Sequence, residues 1–330
     1  MQQKRGKRFE RASKENVTAL RAHFQRTERD EQIIRRVGEF RFLSSEQVLR
    51  LVPPLAGETA KQIPERLKRL WQLQFLDRPR AQLQYYRAGG GSARMIYALG
   101  QQGARLLSER DNVPIHKLNW TLKNNRVGQI NILHTVEIAE VLTKLESECK
   151  ASDNVTLIKG TQVVAESPVT THKMEKPHKI ATSPSFAGRS FKLAIHPDAV
   201  FALEIDADER SNFFLEVDRG TMPVARKLSS MKADVRQRSV LEKFMCYAQA
   251  WKDGHVEARY GWEHFRVIFV TTSPERVARM VDVVEELAKD EHMRGCKGLF
   301  LFADAKSLRG KALLDTAFIN GKGERVRLLD

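Results

Sequence analysis

Apolar residues in the first third of the chain recur at helical spacing, whereas in the second half they gather into extended runs. In DEQIIRRV, residues 30 to 37, Ile33, Ile34 and Val37 fall on one helical face. SSEQVLRLV follows with Ser44 or Ser45 as N-cap, and Pro53 and Pro54 stop that helix. The spacing predicts another helix from near Thr59 through AKQIPERLKRLWQLQFL. It would bury Ile63, Leu67, Leu70 and Trp71 and leave Lys61, Arg66, Lys68 and Arg69 as a basic stripe. Two extended runs, Ala81 to Arg87 and Arg94 to Leu99, then flank a tip with three glycines, the pattern of a β-hairpin.

Helix, helix, basic helix and hairpin is the order of a winged helix, whose last helix enters the major groove of duplex DNA. Arg80, Arg87 and Arg94 would line the wing. The glycines do not make a phosphate loop, because no Gly-Lys-Ser/Thr follows and they join two extended runs. A winged helix used for protein contacts alone is the competing reading. Asp111, Asn112 and Pro114 mark a boundary near residue 115. The organisation expected is a basic, flexible arm over residues 1–27, a winged-helix domain over 28–114 and a further domain over 115–330.

That second region opens with a long helix over residues 126 to 148, with Ile130, Leu133, Val136, Ile138, Val141, Leu142 and Leu145 as its apolar side. Residues 154 to 165 read as a strand, and SPVTTHKMEKPHKIATSPSFAGRS as an excursion from the core. From Phe191 the chain is extended: FKLAIHPDAVFALEI, the polar ADERSN, then FFLEVD. VLEKFMCYAQAW is a helix with Leu241, Phe244, Met245, Ala248 and Trp251 inward, leaving Lys243 and Tyr247 together at four-residue spacing. FRVIFVTT is a buried strand, SPERVARMVDVVEELAKD a helix capped by Ser273 with Pro274 in its first turn, and KGLFLFAD another strand. The whole is a mixed α/β domain.

Candidate chemistry lies in the extended hairpin. With the loop centred near Asp208, antiparallel pairing brings Asp198 opposite roughly Asp218. Side chains alternate along a strand, so Phe213, Leu215 and Val217 point one way and Phe214, Glu216 and Asp218 the other. Three converging carboxylates, Asp198, Glu216 and Asp218, repel one another unless protonated or bound to a cation, and such oxygen ligands suit Mg²⁺ or Mn²⁺. A metal held there activates water and neutralises charge on a phosphodiester. The alternative is a solvated hairpin whose acids keep its end soluble.

Composition changes the picture in one respect: 56 Lys+Arg against 41 Asp+Glu give a net charge of +15, which favours a polyanionic partner, nucleic acid first. No stretch approaches the ~20 apolar residues of a spanning helix, so no membrane is expected as a partner. The N-terminal MQQKRGKRFERASK lacks the apolar segment of a secretory signal. Cys149, Cys246 and Cys296 lie far apart without C-x-x-C pairing, as in a reduced cytoplasmic chain. His134 and His196 stand beside apolar residues and read as structural.

Three stretches resemble the replication-relaxation proteins of plasmids and other mobile elements: ERLKRLWQLQFLDR with YALGQQGARLL, LHTVEIAEVL, and PDAVF followed by FFLEVDRGT. The resemblance runs from about residue 28 to 304. It implies that the second domain has the restriction-endonuclease-like PD-(D/E)XK fold, with Asp198 and Glu216 as metal ligands and Glu137, or Glu140, adding another. The lysine of that motif is replaced here by Asp218, and Lys243 on the following helix is the residue placed to substitute for it. The histidine cluster and N-terminal tyrosine of commoner relaxases are missing: there is no H-x-H, and Tyr85 and Tyr86 fall in the wing. The implied protein binds double-stranded DNA at an origin region and nicks it with Mg²⁺ or Mn²⁺ through Asp198, Glu216, Asp218 and Lys243. A homodimer is a further candidate partner. The rival is a non-catalytic winged-helix replication or transcription factor that keeps a degenerate nuclease fold as a scaffold.

Overall fold

The structure is a computed structural model, and it describes residues 10–54, 62–84, 94–118, 121–186, 188–206, 209–225 and 239–330. The protein is mixed α/β and divides into two compact units, residues 1–143 and 144–330. The division falls inside the long helix, later than the boundary near residue 115 read from Asp111, Asn112 and Pro114.

The first unit begins with α1 (Lys14–His23), which buries no side chain. Its ends are fixed nonetheless: Arg11 donates to Asp77 at 3.2 Å and Phe24 meets Phe75 with ring centroids 6.2 Å apart. Residues 10–27 are therefore structured, in contrast to the flexible arm expected. There follow α2 (Glu28–Phe40), β1 (Leu43–Ser44), α3 (Ser45–Leu51), α4 (Gln62–Gln72), β2 (Leu76–Asp77), β3 (Ile96–Leu99) and α5 (Gln101–Asp111). Thr27 and Ser44 form capping boxes with Asp30 and Gln47, so α2 and α3 start where their backbone donors are satisfied. Ile33, Ile34, Val37, Leu67, Leu70 and Trp71 share one core.

The three strands of this unit run in the order β1-β3-β2. Among the described residues, only Leu76 and Asp77 pair with the Ile96 strand on that side, and residues 80–84 form a 3₁₀ turn, not the strand expected from Ala81. The Gln82 side chain explains how β3 tolerates the loss. Its Nε2 donates to Ile96 O at 2.9 Å and its Oε1 accepts from Ile96 N at 2.8 Å, in place of a neighbouring strand. Arg87 and the glycine tip lie outside the described residues.

Gly100 and Gly103 allow α5 to start hard against the end of α4. A Cβ at either position would fall 2.2 Å from Gln74 O or 2.3 Å from Phe75 O, closer than real atoms approach.

Two short helices, α6 (Ile115–Leu118) and α7 (Thr121–Arg126), lead to α8 (Gln129–Ala151). In the second unit come β4 (Val155–Lys159), α9 (Gly160–Glu166), α10 (Val169–His172), the short strands β5 (Ile180–Thr182), β6 (Ser185–Phe186), β7 (Arg189–Ser190) and β8 (Leu193–Ile195), then β9 (Ala199–Ile205) and β10 (Glu209–Val217). The run 154 to 165 is thus a strand that turns into a helix at Gly160. The unit continues through α11 (Val240–Lys252), α12 (His255–Tyr260), β11 (Arg266–Thr271), α13 (Pro274–Leu287), β12 (Phe300–Asp304), β13 (Phe318–Asn320) and β14 (Arg325–Val326).

Its main sheet has the order β14-β13-β12-β11-β10-β9-β4. The centre, β10-β11-β12, is parallel, and β12 and all of β11 after Arg266 are buried, as strands covered on both faces must be. Phe244 of α11 packs 4.9 Å from the rings of both Phe269 and Phe300, fixing that helix on the sheet. Glu148, near the end of α8, accepts from the Leu313 and Leu314 amides at 2.7 and 3.0 Å and ties that helix to the loop after β12.

Candidate functional site

The β9-β10 hairpin turns one residue earlier than the sequence implied, with Asp206 at a φ of 50° in its tip. Leu215 pairs with Ala199, which brings Asp198 opposite Glu216 instead of Asp218. Pro197 has no amide hydrogen and ends the pairing there. Asp198 supplies the last bonds: its amide donates to Leu215 O at 3.0 Å and its Oδ2 accepts from Val217 N at 2.8 Å.

Glu216 points to the α11 side and is 1 % exposed. Two residues one helical turn apart on α11 reach it: Lys243 Nζ lies 2.5 Å from Oε2, and the Tyr247 hydroxyl donates to Oε1 at 2.7 Å. Burial pushes the Glu216 carboxyl above the usual carboxylate range, against the pull of Lys243. Burial also opposes the Lys243 charge, but Glu216 and Asp198 together hold its ammonium above the ordinary lysine value. Burial pushes the Tyr247 phenol well up as well. The face expected for Lys243 and Tyr247 is real, but it is turned inward, and Tyr247 is fully buried.

Asp218 does not join this cluster. Thr271 Oγ1 donates to its Oδ2 at 2.6 Å, Arg276 Nε meets the same oxygen at 2.5 Å, and Oδ1 accepts from Arg276 Nη2 at 3.0 Å and from Gly220 N at 3.1 Å. A carboxylate so fully supplied with donors is a structural anchor, and the sequence reading missed both partners. The signal was available: Ser273 and Pro274 start α13 right after β11, so Arg276 lies in the first turn beside the end of β10.

Among the described residues, no group of three or more His, Cys, Asp and Glu side chains comes together as a metal-holding cluster. The expected set of Asp198, Glu216, Asp218 and Glu137 is therefore not gathered. Glu137 is exposed on α8 and belongs to the first unit, and Glu140 there binds Gln47 and Arg50. His196 is exposed and His134 half-buried. What remains is Asp198 and Glu216 with one lysine. Two carboxylates still fit Mg²⁺ or Mn²⁺, which take one or two such ligands and complete their shell with water and phosphate oxygens. For that, Lys243 must share or release Oε2.

The expected DNA-binding residues of the first unit divide. Lys61 and Arg87 lie outside the described residues. Arg66 is committed internally: its Nε binds Oδ1 of the fully buried Asp30 at 2.6 Å, and Nη2 donates to Gln25 O at 3.0 Å. Arg94 pairs with Glu46, and Lys68 lies 3.7 Å from Glu65. Lys68, Arg69, Arg80 and Arg94 are exposed. A further cation that sequence reasoning missed is Arg78, which is buried with its guanidinium 4.0 Å from the centre of the Trp71 ring.

Among the described residues, no helix is long and apolar enough to cross a membrane. No curated protein and no solved structure matches the chain. The replication-relaxation family matches residues 34–262, and its description points to a role in the replication or mobilisation of a mobile element. The match spans both units and includes the hairpin of Asp198 and Glu216 and the helix of Lys243 and Tyr247. With well over half of its length matched, the chain belongs to the replication-relaxation family.

Proposed function

We propose that the protein is a cytoplasmic, metal-dependent DNA-nicking relaxase of a mobile element. In this reading its first unit is a winged helix that docks on double-stranded origin DNA, and its second is a PD-(D/E)XK nuclease domain. The observation that carries it is the meeting of Glu216 with Lys243, opposite Asp198 on the paired strand. Aspartate, glutamate and lysine are then combined from two strands and a helix, although the strand position for the lysine holds Asp218.

Asp198 and Glu216 would hold Mg²⁺ or Mn²⁺, which when bound neutralises phosphate charge and makes water a better nucleophile. Lys243, kept protonated by the carboxylates around it, then points a cation at the phosphate whose negative charge grows as the bond breaks. Glu216 lies on a rigid central strand, so its position is set by the sheet and not by a loop.

Arg69, Lys68, Arg80 and Arg94 are the exposed cations assigned to phosphate contact in the first unit. Each phosphate they neutralise should make log affinity fall by about 0.9 per tenfold rise in salt. Mn²⁺ titration of the full chain beside Asp198→Ala tests the metal part. The parent should bind the ion and the variant should lose most of that affinity, and equal binding by both would remove the reading.

One observation favours a second reading, a DNA-binding factor whose nuclease-like unit is a scaffold that pairs with another copy or another protein. Both Glu216 oxygens and both Asp218 oxygens already accept bonds from the protein. In that case Asp198→Ala does not alter metal binding, and DNA is retained but never cut.

A further inference from the structure

We propose that Tyr247 is a positioning residue for this carboxylate centre: it holds Glu216 by Oε1 and so keeps Oε2 available to Lys243 and to a cation. The inference rests on the metal-centre reading and adds to it how the glutamate keeps one orientation.

A glutamate side chain has several rotatable bonds, and packing alone leaves its carboxyl free to turn. Here two donors take different oxygens, Tyr247 at 2.7 Å and Lys243 at 2.5 Å. They are not equivalent. The lysine side chain is 26 % exposed and sits on a flexible stem, so it can yield Oε2 to an incoming cation. The tyrosine is fully buried, and its ring packs 5.5 Å from Phe214, two residues before Glu216 on the same strand. It therefore stays in place when the lysine moves, and without it Glu216 would have no fixed partner at that moment.

The same geometry excludes another role. A tyrosine that attacks DNA must lose its proton and reach a phosphorus atom. Tyr247 has no exposed surface, donates its proton to Glu216, and has its phenol pushed up by burial. It can orient the carboxylate but cannot form a covalent bond to DNA.

The test is Mn²⁺ binding by calorimetry, with melting temperature recorded alongside, for the full chain, Tyr247→Phe and Phe201→Leu. Tyr247→Phe keeps the ring and removes only the donor. Its Mn²⁺ affinity should fall by about ten- to a hundredfold, the usual loss when a ligand's orienting partner is removed. Phe201→Leu loosens the packing on Phe213, on the hairpin face that points away from Glu216, so it should lower the melting temperature and leave the affinity unchanged. A folded Tyr247→Phe protein that binds Mn²⁺ as tightly as the parent overturns the inference. A parent that binds no Mn²⁺ overturns the metal-centre reading itself and this inference with it. One measurement needs no variant: the resonance of the buried, hydrogen-bonded hydroxyl proton of Tyr247, followed by NMR, should shift when Mg²⁺ is added. A resonance unmoved by Mg²⁺ at concentrations that saturate the protein would also overturn it.

Discussion

Lys243 Nζ lies 2.5 Å from Glu216 Oε2, although the two residues are 27 positions apart and stand on a helix and a strand. The family resemblance leads one to expect a lysine at the position of Asp218, two residues beyond Glu216 on the same strand face. The cation is supplied instead by the helix that packs on that face, while Asp218 is bound by Arg276 and Thr271. The two acids of one strand thus have different partners and different consequences when altered.

Replacing Lys243 by methionine should make stability more sensitive to pH. Burial already holds the Glu216 carboxyl above the usual range, and removing the ammonium takes away the main opposing influence, so the carboxyl rises further. The folded protein then keeps a proton that the unfolded chain releases in the ordinary carboxylate range. Stability is full below that range and is lost as pH rises through and beyond it. At neutral pH the loss should be about 3 kcal/mol, the lower end for breaking a buried pair, because Lys243 is partly exposed. Melting curves should show a wider gap from the parent at pH about 8 than at about 5. A gap that does not change with pH would mean that Glu216 carries no charge for Lys243 to balance.

Asp218→Asn should destabilise the protein without weakening Mn²⁺ binding. Its carboxylate pairs with Arg276 while only 6 % of its side chain is exposed, and losing one partner of such a pair costs about 3 kcal/mol or more. Urea unfolding measures the first effect and calorimetry the second. Loss of metal affinity on a scale with Asp198→Ala would return Asp218 to the centre.

Arg66 and Arg69, three residues apart on α4, should differ in what they do. Arg66→Ala leaves the buried Asp30 without its cation and should lower the stability of the first unit by about 2–3 kcal/mol. Arg69→Ala removes an exposed charge: it should leave stability unchanged and reduce the salt slope of DNA binding by about one. The reverse pattern, with Arg66 setting the salt slope, would mean that the Asp30 pair opens on DNA.

How much of this was legible in the sequence depends on the range of the interaction. Helices with strong periodicity or local caps were: Ile33, Ile34 and Val37, the Ser44 cap, and Leu67, Leu70 and Trp71 are patterns within a few residues. The continuous apolar runs of β11 and β12 gave the sheet centre for the same reason. Residues 81–84 were misread as extended because a side chain, that of Gln82, takes the place of a strand partner for Ile96, which no alternation reveals. The hairpin register shifted because it depends on the loop, where one residue moves the partner of Asp198 from Asp218 to Glu216. Arg66 was legible as a basic residue on a helix but not as the partner of Asp30, 36 residues away, and Arg276 reaches Asp218 across 58. Charge read along one helix cannot show which cations the fold has already used.

The central claim is that Asp198, Glu216 and Lys243 form a metal-dependent centre for cutting DNA. The most direct measurement is the open-circle product formed from a supercoiled plasmid carrying the element's own origin, with Mn²⁺, Mg²⁺ or EDTA, by the parent, Asp198→Ala and Glu216→Gln. The account expects nicking by the parent with either metal, none with EDTA, and loss in both variants. Plasmid that is bound but stays supercoiled under every condition, or nicking that survives in the variants, would contradict it.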